Sequence, residues 1–183
     1  MPTWGLNKIM DRPFYRRLFS RTKDRPLEAT GATAEGGDAD AQFSLGLRLV
    51  HDGAAQNYVQ AAQWYQKAAY QNHPGAQFNL GVMYATGQGV SRDDSLSLMW
   101  IGKAADLGDP GAQYTLGMRQ WRVSLDEGAE NARESRIEAN KWLRLAAAQG
   151  YAGSEVNRDS IALRMTLEEV AEGSRRAAAF VPG

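Results

Sequence analysis

The sequence predicts an all-α fold of stacked helix pairs, and three observations carry that prediction. The phrase HPGAQFNLG at residues 73–81 returns as DPGAQYTLG at 109–117 and, more loosely, as DADAQFSLG at 38–46. Its glycines Gly46, Gly81 and Gly117 stand 35 and 36 positions apart, a period in the range of ~20–50 residues that marks stacked supersecondary units. A second phrase runs beside the first. AAQWYQKAAYQN from Ala61, SLMWIGKAADLG from Ser97 and ANKWLRLAAAQG from Ala139 share a Trp, a large apolar residue and an Ala-Ala pair at the same offsets. The third observation is punctuation. Asn72, Gly108 and Gly150 fall where a left-handed residue ends a helix, and Pro74 and Pro110 follow where a fixed φ starts the next.

The elements follow in order along the chain. Residues 1–37 form a basic N-terminal segment, in which Arg12, Arg16, Arg17, Arg21, Lys23 and Arg25 interleave with Phe14, Tyr15, Leu18 and Phe19. It ends in the run ATGATAEGG, whose composition reads as a flexible linker. The basic segment is expected to fold back as a cap on the first unit; the alternative is a docking arm for an acidic partner or a membrane surface.

Residues 38–153 hold three repeats. In the first helix of the second unit, Ala76, Leu80 and Tyr84 stand four apart; in its partner, Ser97, Ile101, Ala104 and Ala105 follow four and three, so each unit is helix, loop, helix. Gly87, Gln88 and Gly89 make the loop inside that unit. Trp64 to Trp100 is 36 positions and Trp100 to Trp142 is 42, the surplus falling in the polar stretch VSLDEGAENARES. Lengthening a loop is the mildest way to lengthen a repeat.

Residues 154–183 are expected to be capping helices. GSEVNRDSIALRM stands in register with the start of a fourth unit, and Thr166 with Glu169 has the spacing of a capping box. A terminal pair covers its neighbour's apolar end and shows water a polar face, a role that Arg164, Arg175 and Arg176 suit.

Composition bounds the function. At 43% hydrophobic and 23% charged, the 183 residues fit one globular or solenoid domain. Twenty-one basic residues balance twenty-one acidic ones, so no global field draws the chain to nucleic acid or an anionic membrane. The lack of cysteine removes disulfides, thiolate metal sites and cysteine nucleophiles together. The N-terminal stretch lacks the apolar core of a signal peptide, so a cytoplasmic, soluble protein is expected.

The residues AQFNLGVMYATGQGVSRDDSLSLMWIGKAADLGDPGAQ carry a family resemblance, through Ala, Leu-Gly, Tyr, Gly-x-Gly-Val, Trp and Ala-Ala at family spacing. The chain resembles the Sel-one-like repeats, helical-hairpin relatives of tetratricopeptide repeats, over residues 38–153. It departs where the first unit has HDGAAQN and the third its long insert in place of Gly-x-Gly-Val. The resemblance implies a right-handed α-solenoid superhelix of antiparallel helix pairs. It also implies a role in holding other proteins, often in bacterial signalling, secretion or assembly.

In such a stack the first helix of each unit lines the inner, concave surface. Phe78, Val82 and Ala85 share one stripe there. Their counterparts are Phe43, Leu47 and Val50 in the first unit, and Tyr114, Met118 and Trp121 in the third. An apolar ladder for a partner protein is expected from them, with Arg48, Arg119 and Arg122 holding acidic groups at its rim. Burial by the curvature of a short superhelix accounts for Phe43 and Phe78 equally well. For Met118 and Trp121, which the family pattern does not require, a binding role is favoured. Trp64, Trp100 and Trp142 read as core, because recurrence at one repeat position is what packing produces.

Chemistry finds little support. His51 and His73 sit near helix ends with no recurring carboxylate. SRTK at 20–23 matches a Ser-x-x-Lys pattern without its companion motifs. Asp93 and Asp94 lack an oxygen-rich loop for calcium and fit a helix N-terminus better. No catalytic residue, metal or cofactor is expected. The reading is a non-enzymatic adaptor or scaffold for a partner protein or peptide, with no nucleic acid or small-molecule substrate. The alternative is an immunity-type inhibitor that occludes a bacterial toxin or effector, and a hydrolase is the remote third.

Overall fold

The computed structural model describes residues 27–52, 54–126 and 130–183. The basic segment, with its cap-or-arm reading, and SRTK lie outside the described residues. Within them the secondary structure is entirely helical. Contacts group the chain into two compact units, Met1–Ala104 and Ala105–Gly183.

The first unit contains α1 (Leu27–Glu35), α2 (Ala39–Asp52), α3 (Ala55–Tyr70), α4 (Pro74–Thr86) and most of α5 (Asp94–Asp106). The second contains α6 (Pro110–Val123), α7 (Ala132–Ala148), α8 (Ser154–Ala162) and α9 (Leu167–Ala178). The punctuation falls where the sequence puts it. Asn72, Gly108 and Gly150 have φ of 61°, 89° and 69°, and Pro74 and Pro110 open α4 and α6. Asp93 caps α5, its Oδ1 accepting from the N–H groups of Ser95 and Leu96 at 2.9 Å each.

The recurring Leu-Gly is a packing device. A Cβ on Gly46 would lie 2.5 Å from the ring of Tyr65 in α3, one on Gly81 2.7 Å from Ile101 in α5, and one on Gly117 2.8 Å from Leu143 in α7. In each repeat the first helix therefore presents a glycine at the place where its partner helix crosses closest. A side chain there would push the pair apart.

The recurring Ala-Gln has a separate cause. Gln42, Gln77 and Gln113 are buried polar side chains, and each Nε2 donates to the carbonyl of the residue eight before it. The acceptors are Ala34 (3.1 Å), Ala69 (3.1 Å) and Ala105 (3.3 Å). Each glutamine thus satisfies an orphan carbonyl at the end of the preceding helix, a bond worth ~0.5–1.5 kcal/mol net. Gln71 and Gln149 extend two of these clamps, donating to Gln42 Oε1 and Gln113 Oε1 at 2.9 Å.

The run ATGATAEGG differs from the linker the sequence suggests, because most of it is α1. Ala34 packs with Ala41 and Leu45, Thr30 is buried, and the Ala34 carbonyl receives the same glutamine bond as Ala69 and Ala105. α1 therefore stands where the second helix of a preceding repeat would stand. Alanine favours helix, and tertiary burial outweighs the single internal Gly31.

The same register position caps three helices. Asp38, His73 and Asp109 accept from the N–H of Ala41 (2.7 Å), Ala76 (3.1 Å) and Ala112 (2.8 Å). Burial pushes the Asp109 carboxyl up from 3.8 to about 7, against the N–H groups of Ala112 and Gly111. The native state then holds a proton that the unfolded chain has released, so stability falls as pH rises from about 4 to about 7. Burial instead lowers His73, against the pull of Asp40, whose Oδ1 lies 3.3 Å from Nε2. Its contribution is full above about 6.5 and is lost as pH falls below that value. Asparagine caps as well as aspartate without titrating. Asp109→Asn should remove the first slope and His73→Asn the second, measured as melting temperature between about pH 4 and 8.

The C-terminal helices pack on α7. Thr166 and Glu169 form the expected capping box, and a Cβ on Gly173 would come 2.9 Å from that of Asn140. Arg136 meets Glu169 at 2.6 Å and Arg133 meets Glu168 at 2.8 Å. Arg176 does not serve an outer face as the sequence suggests. It pairs with Glu134 and, at 2.8 Å, with Glu138 of α7, because a guanidinium at the helix crossing can join two acidic side chains one turn apart. Arg164 and Arg175 are exposed. Of the insert VSLDEGAENARES, the last four residues belong to α7.

Candidate protein-binding surface

The stripe expected to line a groove divides by unit. In the first unit Phe43, Leu47, Val50, Phe78 and Val82 are all buried. Phe43 shows why: its ring lies 4.4 Å from that of His73 and 5.8 Å from that of Tyr65, under the backbone of Gly75. These side chains were expected to face a partner, but the close helix crossings place them in the interior. Ala85 is exposed and Arg48 half-buried.

In the second unit the same stripe stays partly open. Tyr114, Met118 and Trp121 of α6 are half-buried and pack as a group against Ala139 and Leu143 of α7 and Ile161 of α8, with Met165 alongside. The Tyr114 hydroxyl accepts from Asn157 Nδ2 at 2.8 Å, and its ring stands 5.3 Å from that of Tyr151. Arg119 and Arg122 are exposed on the same helix, and Val123 and Leu125 follow, also exposed. An apolar surface of aromatic and methionine side chains with arginines at its edge is the composition of an interface centre and rim.

The recurring tryptophans are structural. Trp100 and Trp142 are buried, and Trp64 is half-buried against the Ala34, Ala41, Leu45 group. Each carries a lysine over its ring: Lys67 at 4.0 Å, Lys103 at 4.9 Å and Lys141 at 4.0 Å. The sequence signals this in WYQK and WIGK, where lysine follows tryptophan by three, a helical neighbour spacing.

His73 is accounted for as a cap, and among the described residues no group of three or more His, Cys, Asp or Glu could hold a metal ion. No helix among them is long and apolar enough to cross a membrane.

A family model described as Sel1 repeat matches residues 39–73, 74–109 and 110–151. No curated protein matches the chain. Among solved structures, the chain is similar to c5321, a protective antigen of uropathogenic Escherichia coli strains displaying an SLR fold. That match has a TM-score of 0.71 and 26% identity, and covers 84% of this chain and 32% of the antigen. The chain thus spans about a third of that protein's length. A Sel1 repeat protein from Oxalobacter formigenes matches at a TM-score of 0.59 and 36% identity, covering 73% of this chain and 97% of the other.

Proposed function

The chain belongs to the Sel1 repeat family, and from that premise we propose that it is a non-enzymatic adaptor that holds a partner protein through α6. Repeats of this family typically mediate protein binding, and their scaffold is generally non-catalytic. The observation that carries the reading is the open part of the stripe: Tyr114, Met118 and Trp121 half-buried beside exposed Arg119 and Arg122. The first helices of the repeats are those the family resemblance assigns to the concave side. A partner offering apolar side chains with acidic neighbours fits that composition.

Because Met118 and Trp121 also pack on α7, their truncation lowers stability as well as binding. The exposed arginines separate the two effects. With a partner purified and its affinity measured, Arg119→Glu/Arg122→Glu should weaken binding at least tenfold, about 1.4 kcal/mol, and leave helical circular dichroism and melting unchanged. Unaltered affinity would remove α6 from the interface. Catalytic turnover by the partner suppressed on binding would favour an inhibitor over an adaptor.

A further inference from the structure

The chain beyond α9 lies across α7 and the turn that joins α5 to α6. Phe180 meets Trp142 edge to face, with centroids 5.7 Å apart and planes at 70°. Lys141 Nζ stands 4.0 Å from the Trp142 ring and 5.8 Å from that of Phe180. Pro182 rests on Gly108, where an added Cβ would lie 3.5 Å from its Cγ, and the Gly183 N–H donates to the Asp106 carbonyl at 3.2 Å.

Nearly the same ring pair occurs in the first unit, where Tyr70 meets Trp100 at 5.6 Å and 74°. There the covering ring belongs to the repeats, since Tyr70 follows Trp64 by six positions. The residues six after Trp100 and Trp142 are Asp106 and Ala148, which carry no ring. Trp142 therefore has no aromatic cover from the repeat pattern and takes one from outside it.

We propose that this groove is a recognition site for an extended peptide of aromatic–x–Pro pattern from a partner protein, and that residues 179–183 are its resident competitor. The floor is Trp142, the wall is the Lys141 side chain, and the Asp106 carbonyl and Gly108 backbone form the edge. The resident segment shows the chemistry accepted: a ring for Trp142, a proline for the glycine, and one backbone N–H for the carbonyl. Its attachment is slight, for Val181 between the two anchors is 80% exposed. The site is separate from the α6 surface and goes beyond the function proposed above.

The test uses the full chain with Phe180→Ala/Pro182→Ala and a fluorescein-labelled Ala-Phe-Val-Pro-Gly peptide. Fluorescence anisotropy should show the peptide binding the double variant at least tenfold more tightly than the unchanged chain. Replacing the peptide's phenylalanine by alanine should abolish binding, and the Trp142 indole and Gly108 amide NMR signals should shift on titration. No binding up to about 1 mM by a variant that keeps its helical circular dichroism would overturn the proposal. So would equal binding to both chains, or self-association of the variant in place of peptide binding, which would give the groove to a second copy. The unchanged chain supplies a check independent of the variant's folding. Its Gly183 amide should exchange with solvent more than about a hundredfold faster than the interior amides of α7. Equal protection would make the segment a fixed part of the fold and sink the competitor role.

Discussion

Trp100→Ala should lower the stability of the chain by about 3–5 kcal/mol, measured by urea unfolding followed through helical circular dichroism. The side chain is buried, meets Tyr70 edge to face at 5.6 Å and carries Lys103 over its ring at 4.9 Å. Truncation removes the transfer free energy of the indole and leaves a void that α4 and α5 cannot close easily. Gly81 already brings the two helices together, with the Ser97 carbonyl only 3.1 Å from where a Cβ would stand. Trp64→Ala supplies the control. That ring is half-buried, so the loss should be clearly smaller, and Trp100→Phe should recover part of the deficit by restoring the ring contact with Tyr70. A loss below about 1 kcal/mol for Trp100→Ala would show that the recurrent tryptophan is not a core residue.

The contrast between Trp64 and Trp100 also shows what the sequence makes legible. Contacts that recur within every repeat are written at fixed offsets. The helix pairs, the glycine crossings, the left-handed ends at Asn72, Gly108 and Gly150, and the Thr166–Glu169 box can therefore be found by reading alone. The glutamine clamp was equally periodic but hidden, because a polar residue in an amphipathic stripe looks solvent-facing until its acceptor is known. Burial along one stripe was not legible at all. Phe43 and Phe78 occupy the same register as Tyr114, and what differs is how closely the neighbouring elements approach, which periodicity does not encode. The helicity of ATGATAEGG is of the same kind, fixed by the packing of Ala34 on α2. The place of Phe180 on Trp142 depends on contacts outside the repeat, so no internal comparison points to it.

The second large effect is electrostatic and lies at the crossing of α7 and α9. Arg136→Ala should cost about 2–4 kcal/mol, somewhat under the ~3–5 of a fully buried pair because Arg136 itself is 28% exposed. Its partner Glu169 is nearly inaccessible, with Oε1 taking the guanidinium and Oε2 the Thr166 N–H at 2.8 Å. Burial alone would raise this carboxyl, but the Arg136 and Thr166 bonds hold it below 4.5. The stabilisation is therefore present above about 4.5 and is lost as pH falls through the depressed native value. Without the guanidinium, burial dominates, the carboxyl rises above its ordinary value, and the native state gains by taking up a proton. The deficit of Arg136→Ala should accordingly be largest near neutral pH and shrink toward about pH 3. Adding Glu169→Gln to Arg136→Ala removes the stranded charge while its amide oxygen still accepts from Thr166. The double variant should then be more stable than Arg136→Ala alone at pH 7. If it is not, the penalty comes from the lost packing of the arginine stem and the charge is incidental.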